Sequence, residues 1–169
     1  MLGPAQYLKD DMKHRTLLFS ALIGGAASAR SMTPMAGIAA ARLLGYRTPG
    51  RLALLDRPLF RLGALAMGAG ELFGDKMQTA PDRTVFFGLL ARVMSAGIAG
   101  AALAPRGRER SGVAIAVAAA VPFAYVTLAG RERAMARIGQ TRSGLIEDAL
   151  VVAATVAIVA LSVGRQTDF

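Results

Sequence analysis

Charged residues interrupt almost every apolar stretch of this chain. A helix needs about 20 predominantly apolar residues to cross a lipid bilayer, and only Ser111–Gly130 reaches that length without an Asp, Glu, Lys or Arg. The next stretch, Ala149–Gly164, reaches spanning length only when residues 144–148, which include two acids, are added. The chain can therefore cross a membrane repeatedly only if the intervening charges are kept away from lipid.

The composition favours lipid over water as the main solvent of the fold. Hydrophobic residues make up 54% of the 169 residues and charged residues 18%, and the mean hydropathy is +0.44. An average soluble domain has about 25% charged residues, so the chain is unusually poor in them. The sequence has no cysteine, which excludes disulfides, thiolate metal sites and a cysteine nucleophile.

The net charge of +9 could indicate nucleic acid as a partner, but the distribution of the charges opposes it. The basic residues lie mainly in short segments between apolar stretches, and no series of aromatic residues accompanies them for bases to stack on. Basic loops between apolar segments are typical of membrane proteins. We therefore expect the lipid bilayer, and no nucleic acid, as a partner.

The pattern predicts an all-α fold, a polytopic membrane helical bundle that forms one membrane-embedded domain over residues 1–169. Pro34 lacks an N–H group and disfavours helical geometry at Thr33, so the first hairpin is broken or re-entrant, with Ser31 or Thr33 as the cap of its second helix. About six helical segments are expected, at residues 16–29, 33–44, 58–76, 84–104, 111–138 and 143–164.

Small residues four positions apart predict where the helices approach one another closely. Such spacing lets helix backbones come together in lipid. The predicted pairs are Gly25 with Ala29, Gly37 with Ala41, Gly70 with Gly74, and Ala96 with Gly100.

Seven charged residues lie inside or at the edge of the apolar segments. Exposing all of them to lipid would cost about 20 kcal/mol, which exceeds the stability of a typical domain. They are therefore expected to face inward around one polar centre, with Arg30 and Arg92 as partners of the carboxylates and only one of Glu147 and Asp148 pointing to the centre. The seven are Arg30, Glu71, Asp75, Lys76, Arg92, Glu147 and Asp148.

Two interpretations of these charges stay open. They form either an ion-pair network that fixes the packing of the bundle or a binding site near the middle of the membrane. Four carboxylates without a nearby His or Cys would favour a hard cation if a metal is bound, but no recognised ligand spacing is present, and metals, cofactors and catalytic residues stay unassigned. The binding set would be Arg30, Ser31, Thr33, Glu71, Asp75, Lys76, Arg92, Glu147 and Asp148.

Four motifs in order carry a resemblance to a known family. They are Gly24-Gly25-Ala26-Ala27-Ser28-Ala29-Arg30-Ser31-Met32-Thr33-Pro34, Gly70-Glu71-Leu72-Phe73-Gly74-Asp75-Lys76, Arg92 with Ser95-Ala96-Gly97, and Glu147-Asp148-Ala149. Together they resemble the bacterial membrane family called domain of unknown function 4126. The chain has Ser28-Ala29 where that family usually has Gly-Leu, and Met77-Gln78 where a proline commonly follows. The resemblance implies a multi-pass protein of the bacterial inner membrane and assigns no activity.

These observations predict a transporter or channel-like protein for a small ion or solute, with the polar centre as its site. One alternative is a membrane-embedded enzyme that acts on a lipid phosphate, in which Arg30, Lys76 and Arg92 hold the phosphate and Glu71 or Asp75 is a metal ligand or general base. Another is a noncatalytic membrane assembly factor. Whether the chain is an enzyme therefore stays open.

The flanking charges give little information about orientation. Three arginines precede Ser111–Gly130 and four follow it, so the positive-inside rule hardly separates its two ends. The basic N-terminal cluster and the arginines after residue 44 can both be cytoplasmic only if residues 16–44 form a re-entrant hairpin, which is the predicted arrangement. The alternative is an antiparallel homodimer of chains inserted in both orientations.

Overall fold

The computed structural model describes residues 4–74 and 86–165, and this part of the chain confirms the predicted all-α fold. Its six α-helices match the six predicted segments, although the first begins twelve residues earlier than expected. The helices are α1 (Pro4–Ala29), α2 (Thr33–Leu43), α3 (Pro58–Gly74), α4 (Phe86–Leu103), α5 (Glu109–Ile138) and α6 (Gln140–Ser162). A 3₁₀ helix covers Ala53–Asp56, and strands β1 (Tyr46–Arg47) and β2 (Gly164–Arg165) form a short antiparallel pair.

Proline and glycine set the helix boundaries. Pro34 lies in the first turn of α2, where its missing N–H group costs nothing, and residues 30–32 separate α2 from α1. Gly45 and Gly139 both have φ of +83°, a conformation that side chains other than glycine rarely adopt. Gly45 follows the end of α2, and Gly139 joins α5 to α6 in a helical hairpin.

The first helix runs antiparallel to α4. The Ser20 hydroxyl donates a hydrogen bond of 3.0 Å to the carbonyl of Gly100, near the end of α4. The Arg92 Nε donates one of 2.8 Å to the carbonyl of Ser28, near the start of α4. As α1 proceeds toward its C-terminus, it therefore moves toward the beginning of α4.

The chain returns along α2 to the end from which α1 came. After α2, the Gly50 N–H donates to the carbonyl of Ala102 at 3.0 Å, and Arg51 N–H donates to the carboxylate of Glu109 at 3.1 Å. The predicted hairpin is therefore present, with its turn at residues 30–32. We call the end that holds residues 44–57 and 104–110 the basic end of the bundle, and the end near Gly139 the hairpin end.

Close backbone contacts hold the helices together, as the small residues predicted, but not at every predicted position. A Cβ atom on Gly24 would lie 2.2 Å from the carbonyl oxygen of Ala116, and one on Gly100 would lie 2.4 Å from the Ala116 Cβ, so α1 and α4 both press against α5. The predicted Gly25 and Gly70 instead face open space, with no atom within 4 Å of such a Cβ.

Helices α5 and α6 are the two in the described part that are long and apolar enough to cross a membrane. The buried stripe of α5 consists of Gly112, Ala116, Ala120 and Ala124. Large apolar side chains lie on the outside instead, including Phe123, Val126, Leu150, Val156 and Leu161, which are 51–75% exposed. Small residues inside and large apolar residues outside favour a membrane environment, although α1 and α4 have only shorter apolar segments, Leu17–Ala29 and Gly88–Leu103.

A candidate polar site at the helix break

The polar centre lies at the turn of the first hairpin. A break in a helix leaves backbone groups without intrahelical partners, and polar side chains must satisfy them. The last carbonyls of α1 and the first N–H groups of α2 both need partners from elsewhere. Arg30 is 2% exposed and Thr33 is 6% exposed, so the solvent supplies few of those partners. The structure supplies them with charged side chains from two other helices, α3 and α4.

Glu71 of α3 caps the N-terminus of α2. Its Oε1 accepts hydrogen bonds from the Ser31 N–H at 2.5 Å and the Ser31 hydroxyl at 2.7 Å. Its Oε2 accepts from the Met32 N–H at 2.8 Å, the Thr33 N–H at 3.2 Å and the Thr33 hydroxyl at 3.3 Å. The prediction that Ser31 or Thr33 caps α2 with its own side chain was wrong, because the carboxylate takes this position and both hydroxyls donate to it.

Arg92 of α4 serves the other side of the break. Its guanidinium is buried and donates through Nε to the Ser28 carbonyl in the last turn of α1, and through Nη1 to the Gly88 carbonyl at 2.8 Å. A cation is stabilised at a helix C-terminus and an anion at an N-terminus. The negative charge of Glu71 therefore lies at the N-terminus of α2, and the positive charge of Arg92 lies at the C-terminus of α1.

Arg30 points from the break toward α6. Its side chain is 3% exposed and contacts the carboxylate of Asp148, and its Nη2 lies 4.0 Å from Glu147 Oε2. The same Glu147 oxygen lies 3.1 Å from Nη1 of Arg131 in α5. The expectation that only one of the two acids points to the centre was wrong, because both reach Arg30.

Arg131 is the member of this ion-pair network that the sequence interpretation missed. It had been counted only among the basic residues that flank the apolar span. A usable signal was present, since Arg131 and Glu147 lie eight residues before and after Gly139, and positions equidistant from the turn of an antiparallel hairpin lie at the same level. Two arginines and two carboxylates make the network formally neutral.

The structure thus brings together seven of the nine predicted site residues around residues 28–33. They are Arg30, Ser31, Thr33, Glu71, Arg92, Glu147 and Asp148. Asp75 and Lys76 lie outside the described residues.

A pocket of about 300 Å³ opens beside the network, between α5 and α6. Arg131 and Glu147 lie on its wall, together with the polar residues Thr127 and Ser143 and the apolar residues Ile146 and Leu150. The ion pair therefore borders a space large enough for water or a small solute, although most of the pocket surface is apolar.

The arrangement offers little to a metal ion. Hard cations require several free oxygen ligands, but the Glu71 oxygens accept hydrogen bonds from α2, and those of Glu147 and Asp148 face arginines. Within residues 4–74 and 86–165, no group of three or more His, Cys, Asp or Glu side chains is placed to hold a metal. The carboxylates are instead occupied by hydrogen bonds and ion pairs within the protein.

Comparison with known proteins identifies no relative: no family model matches the chain, and neither a curated protein nor a solved structure is significantly similar to it.

Proposed function

We propose that this chain is a multi-pass protein of a bacterial inner membrane, related to the family called domain of unknown function 4126, and that it passes a small ion or polar solute across the bilayer. The observation that carries the proposal is the Arg131–Glu147 pair on the wall of the pocket between α5 and α6. Charges in apolar helices are costly and are usually kept where they serve a pathway.

The link from Arg131–Glu147 to Arg30–Asp148 supports this role. Glu147 lies between two arginines, one at the pocket and one 3% exposed at the helix break. An anionic solute that enters the pocket and pairs with Arg131 would release Glu147 toward Arg30. Such an exchange of partners changes the contacts between the first hairpin and α6 without leaving a charge unpaired.

Two buried hydroxyls add to the support. Ser95 in α4 and Thr155 in α6 are each 1% exposed, and their oxygens have no hydrogen-bond partner among the described residues. Buried polar atoms without a protein partner often hold water. Thr155 lies two helical turns after Glu147 on the inward face of α6, so polar groups continue from the centre toward the basic end.

The geometry favours this function over catalysis on a lipid phosphate. That alternative needs Arg30 and Arg92 to hold a phosphate group, but Arg30 contacts two carboxylates and Arg92 donates to two backbone carbonyls. Replacing those partners with a phosphate would uncap α1 and leave buried acids without a counter-charge.

Flux through reconstituted protein tests the proposal. Liposomes with and without the full chain would be loaded with a pH-sensitive dye or subjected to an osmotic step with KCl, NaCl, urea or glycerol. We expect faster proton flux or faster volume recovery for at least one solute in the protein-containing liposomes. Rates equal to those of protein-free liposomes for every solute would contradict the proposal.

A matched pair of variants locates the path. Glu147→Gln removes the charge that borders the pocket, whereas Glu132→Gln removes a charge from an exposed position of α5. We expect Glu147→Gln to lower the flux by about tenfold or more, corresponding to about 1.4 kcal/mol, and Glu132→Gln to leave it unchanged. Equal flux from both folded variants would show that the path does not pass through this pocket.

A further inference from the structure

A second pocket lies at the basic end of the bundle, away from the polar centre. It encloses about 550 Å³ between the end of α2, the loop that follows it, the first turns of α3 and the segment before α5. Its only acidic lining residue in the described part is Asp56, so the formal charge of its lining is +4. The lining arginines are Arg42, Arg47, Arg51, Arg61 and Arg106.

The two terminal nitrogens of Arg42 already have partners within the protein, whereas its Nε is buried without a hydrogen-bond acceptor among the described residues. Its Nη1 donates to Asp56 Oδ1 at 2.5 Å and to the Leu52 carbonyl at 3.0 Å, and its Nη2 donates to the Thr48 hydroxyl at 2.5 Å. Burial lowers the pKa of Arg42, an effect that Asp56 opposes and the positive charge of Arg61 reinforces. Arg42 stays charged, since an arginine is not deprotonated in proteins. The Asp56 carboxylate is therefore already paired with Arg42 in the contact that holds the loop after α2.

The other four arginines have no salt-bridge partner among the described residues, although the Glu109 carboxylate, which accepts a hydrogen bond from the Arg51 N–H, also attracts the charge of Arg51. In the part of the chain that the structure describes, no carboxylate lies within ion-pair distance of the guanidinium of Arg47, Arg51, Arg61 or Arg106. Within the same residues, the Nε of Arg61 is buried and lacks a hydrogen-bond acceptor. Like charges around one pocket repel each other, and a buried donor without an acceptor is unfavourable.

We propose that this pocket binds a phosphate group, carried either by the headgroup of an anionic phospholipid or by a soluble phosphate. Guanidinium groups bind phosphate oxygens through paired, charge-assisted hydrogen bonds. A phosphate there would offset the repulsion between the arginines. This site does not depend on the proposed transport.

The surroundings favour a lipid as the source of the phosphate. Large exposed apolar side chains flank the pocket residues along the chain: Leu44 is 76% exposed, Leu59 is 78% exposed and Leu62 is 60% exposed. Basic pockets at the edge of an apolar belt are typical sites for anionic lipid headgroups. The acyl chains would lie along these leucines while the headgroup meets the arginines.

Binding to the detergent-solubilised full chain tests the site. The lipid probe is dioleoylphosphatidylglycerol, compared with dioleoylphosphatidylcholine, and the soluble probe is inorganic pyrophosphate, compared with chloride at equal ionic strength. Bound lipid is counted by native mass spectrometry, and both probes are titrated against the thermal midpoint, because a ligand that binds the native state raises it. We expect phosphatidylglycerol to bind and to raise the midpoint.

Three variants with the same charge change separate the pocket from general electrostatics. Arg61→Gln and Arg106→Gln change pocket residues, and Arg108→Gln changes an exposed arginine at the same end that does not line the pocket. We expect the first two to weaken phosphatidylglycerol binding by about tenfold, in line with the loss of one charge-assisted contact, and Arg108→Gln to bind as the wild type does. Arg106 is exposed, so its variant tests the site even if Arg61→Gln does not fold.

The outcomes identify the source of the phosphate or reject the site. Binding of phosphatidylglycerol without pyrophosphate assigns a lipid headgroup, whereas binding of pyrophosphate alone assigns a soluble phosphate. If neither probe binds better than its control, or if Arg108→Gln weakens binding as much as Arg106→Gln, the proposed pocket site is wrong.

Discussion

At the scale of single residues, the centre of this protein depends on matching side-chain charge to the ends of a broken helix. Glu71 supplies negative charge to the first N–H groups of α2, and Arg92 supplies positive charge to the last carbonyls of α1. Arg30 lies between the two helix ends, and the carboxylate of Asp148 in α6 neutralises its charge. Hydrogen bonds to charged groups are stronger than neutral ones. Glu71 accepts bonds from three N–H groups at the start of α2, and Arg92 donates one to a carbonyl in the last turn of α1.

Glu71→Gln should destabilise the protein, because an amide has one acceptor oxygen where the carboxylate has two and carries no charge. We expect a loss of about 2 kcal/mol in the free energy of unfolding, measured by circular dichroism during denaturation in detergent. Glu132→Gln, at an exposed position, should change it by less than about 0.5 kcal/mol. Equal losses in the two variants would show that the cap contributes nothing.

Arg30 and Asp148 should depend on each other. Removing one partner of a buried ion pair leaves the other charge unpaired and costs about 3–5 kcal/mol, so Arg30→Met and Asp148→Leu should each be strongly destabilising. The double variant should be more stable than the sum of the single losses predicts, by at least about 1 kcal/mol. Strict additivity in this double-mutant cycle would contradict the contact.

At the scale of helices, the packing depends on which glycine in a pair faces a neighbour. Gly24 and Gly25 are adjacent in α1, but only Gly24 meets the backbone of α5. The spacing of small residues correctly predicted Gly37 and Gly100 as contact positions and wrongly predicted Gly25. Spacing cannot identify the inward face when both faces of a helix are apolar, as they are in lipid.

This difference between Gly24 and Gly25 allows a direct test of the contact between α1 and α5. Gly24→Ala would place a methyl group against the carbonyl of Ala116, so α1 and α5 must separate, and we expect a loss of about 1–3 kcal/mol. Gly25→Ala meets no atom and should stabilise the helix by up to about 1 kcal/mol. Thermal midpoints of the two variants in the same detergent provide the measurement, and a loss in Gly25→Ala equal to that in Gly24→Ala would refute the contact.

Much of the helical framework could be predicted from the sequence, because Pro34, Gly45 and Gly139 act locally on the backbone. The convergence of the buried charges was also predictable, since lipid leaves them no other location. The individual partners were not, because they depend on contacts between distant segments. Glu71 accepts from residues 40 positions away, and no local pattern near Ser31 indicates which of four acids does so.

At the scale of the whole molecule, the return of the first hairpin changes the distribution of charge between the two ends. It places the arginines of the loop after α2 at the same end as those before α5. The two ends of α5, considered alone, carry nearly the same number of arginines. Among the described residues, the basic end then holds Arg42, Arg47, Arg51, Arg57, Arg61, Arg106, Arg108, Arg110 and Arg165, and the hairpin end holds Arg131, Arg133, Arg137 and Arg142. The positive-inside rule therefore favours a cytoplasmic basic end.

Single cysteines would report this orientation without background, since the chain contains none of its own. We expect an impermeant maleimide added to intact cells to label Arg137→Cys but neither Tyr46→Cys nor Arg108→Cys. Lysed cells provide the control, in which all three should react. Labelling of the Tyr46 and Arg108 positions alone would reverse the orientation, and partial labelling at all three would support the antiparallel homodimer.

The partner of Arg30 has a consequence for how the protein is made. Asp148 follows Arg30 by 118 residues, and at about 5–20 residues per second a ribosome needs roughly 6–24 s to synthesise that interval. During this time the turn of the first hairpin carries a positive charge whose counter-charge does not yet exist. The last helix should therefore complete the insertion of the first hairpin, and in isolated membranes a chain ending at Gly139 should leave α1 and α2 more accessible to protease than the full chain does.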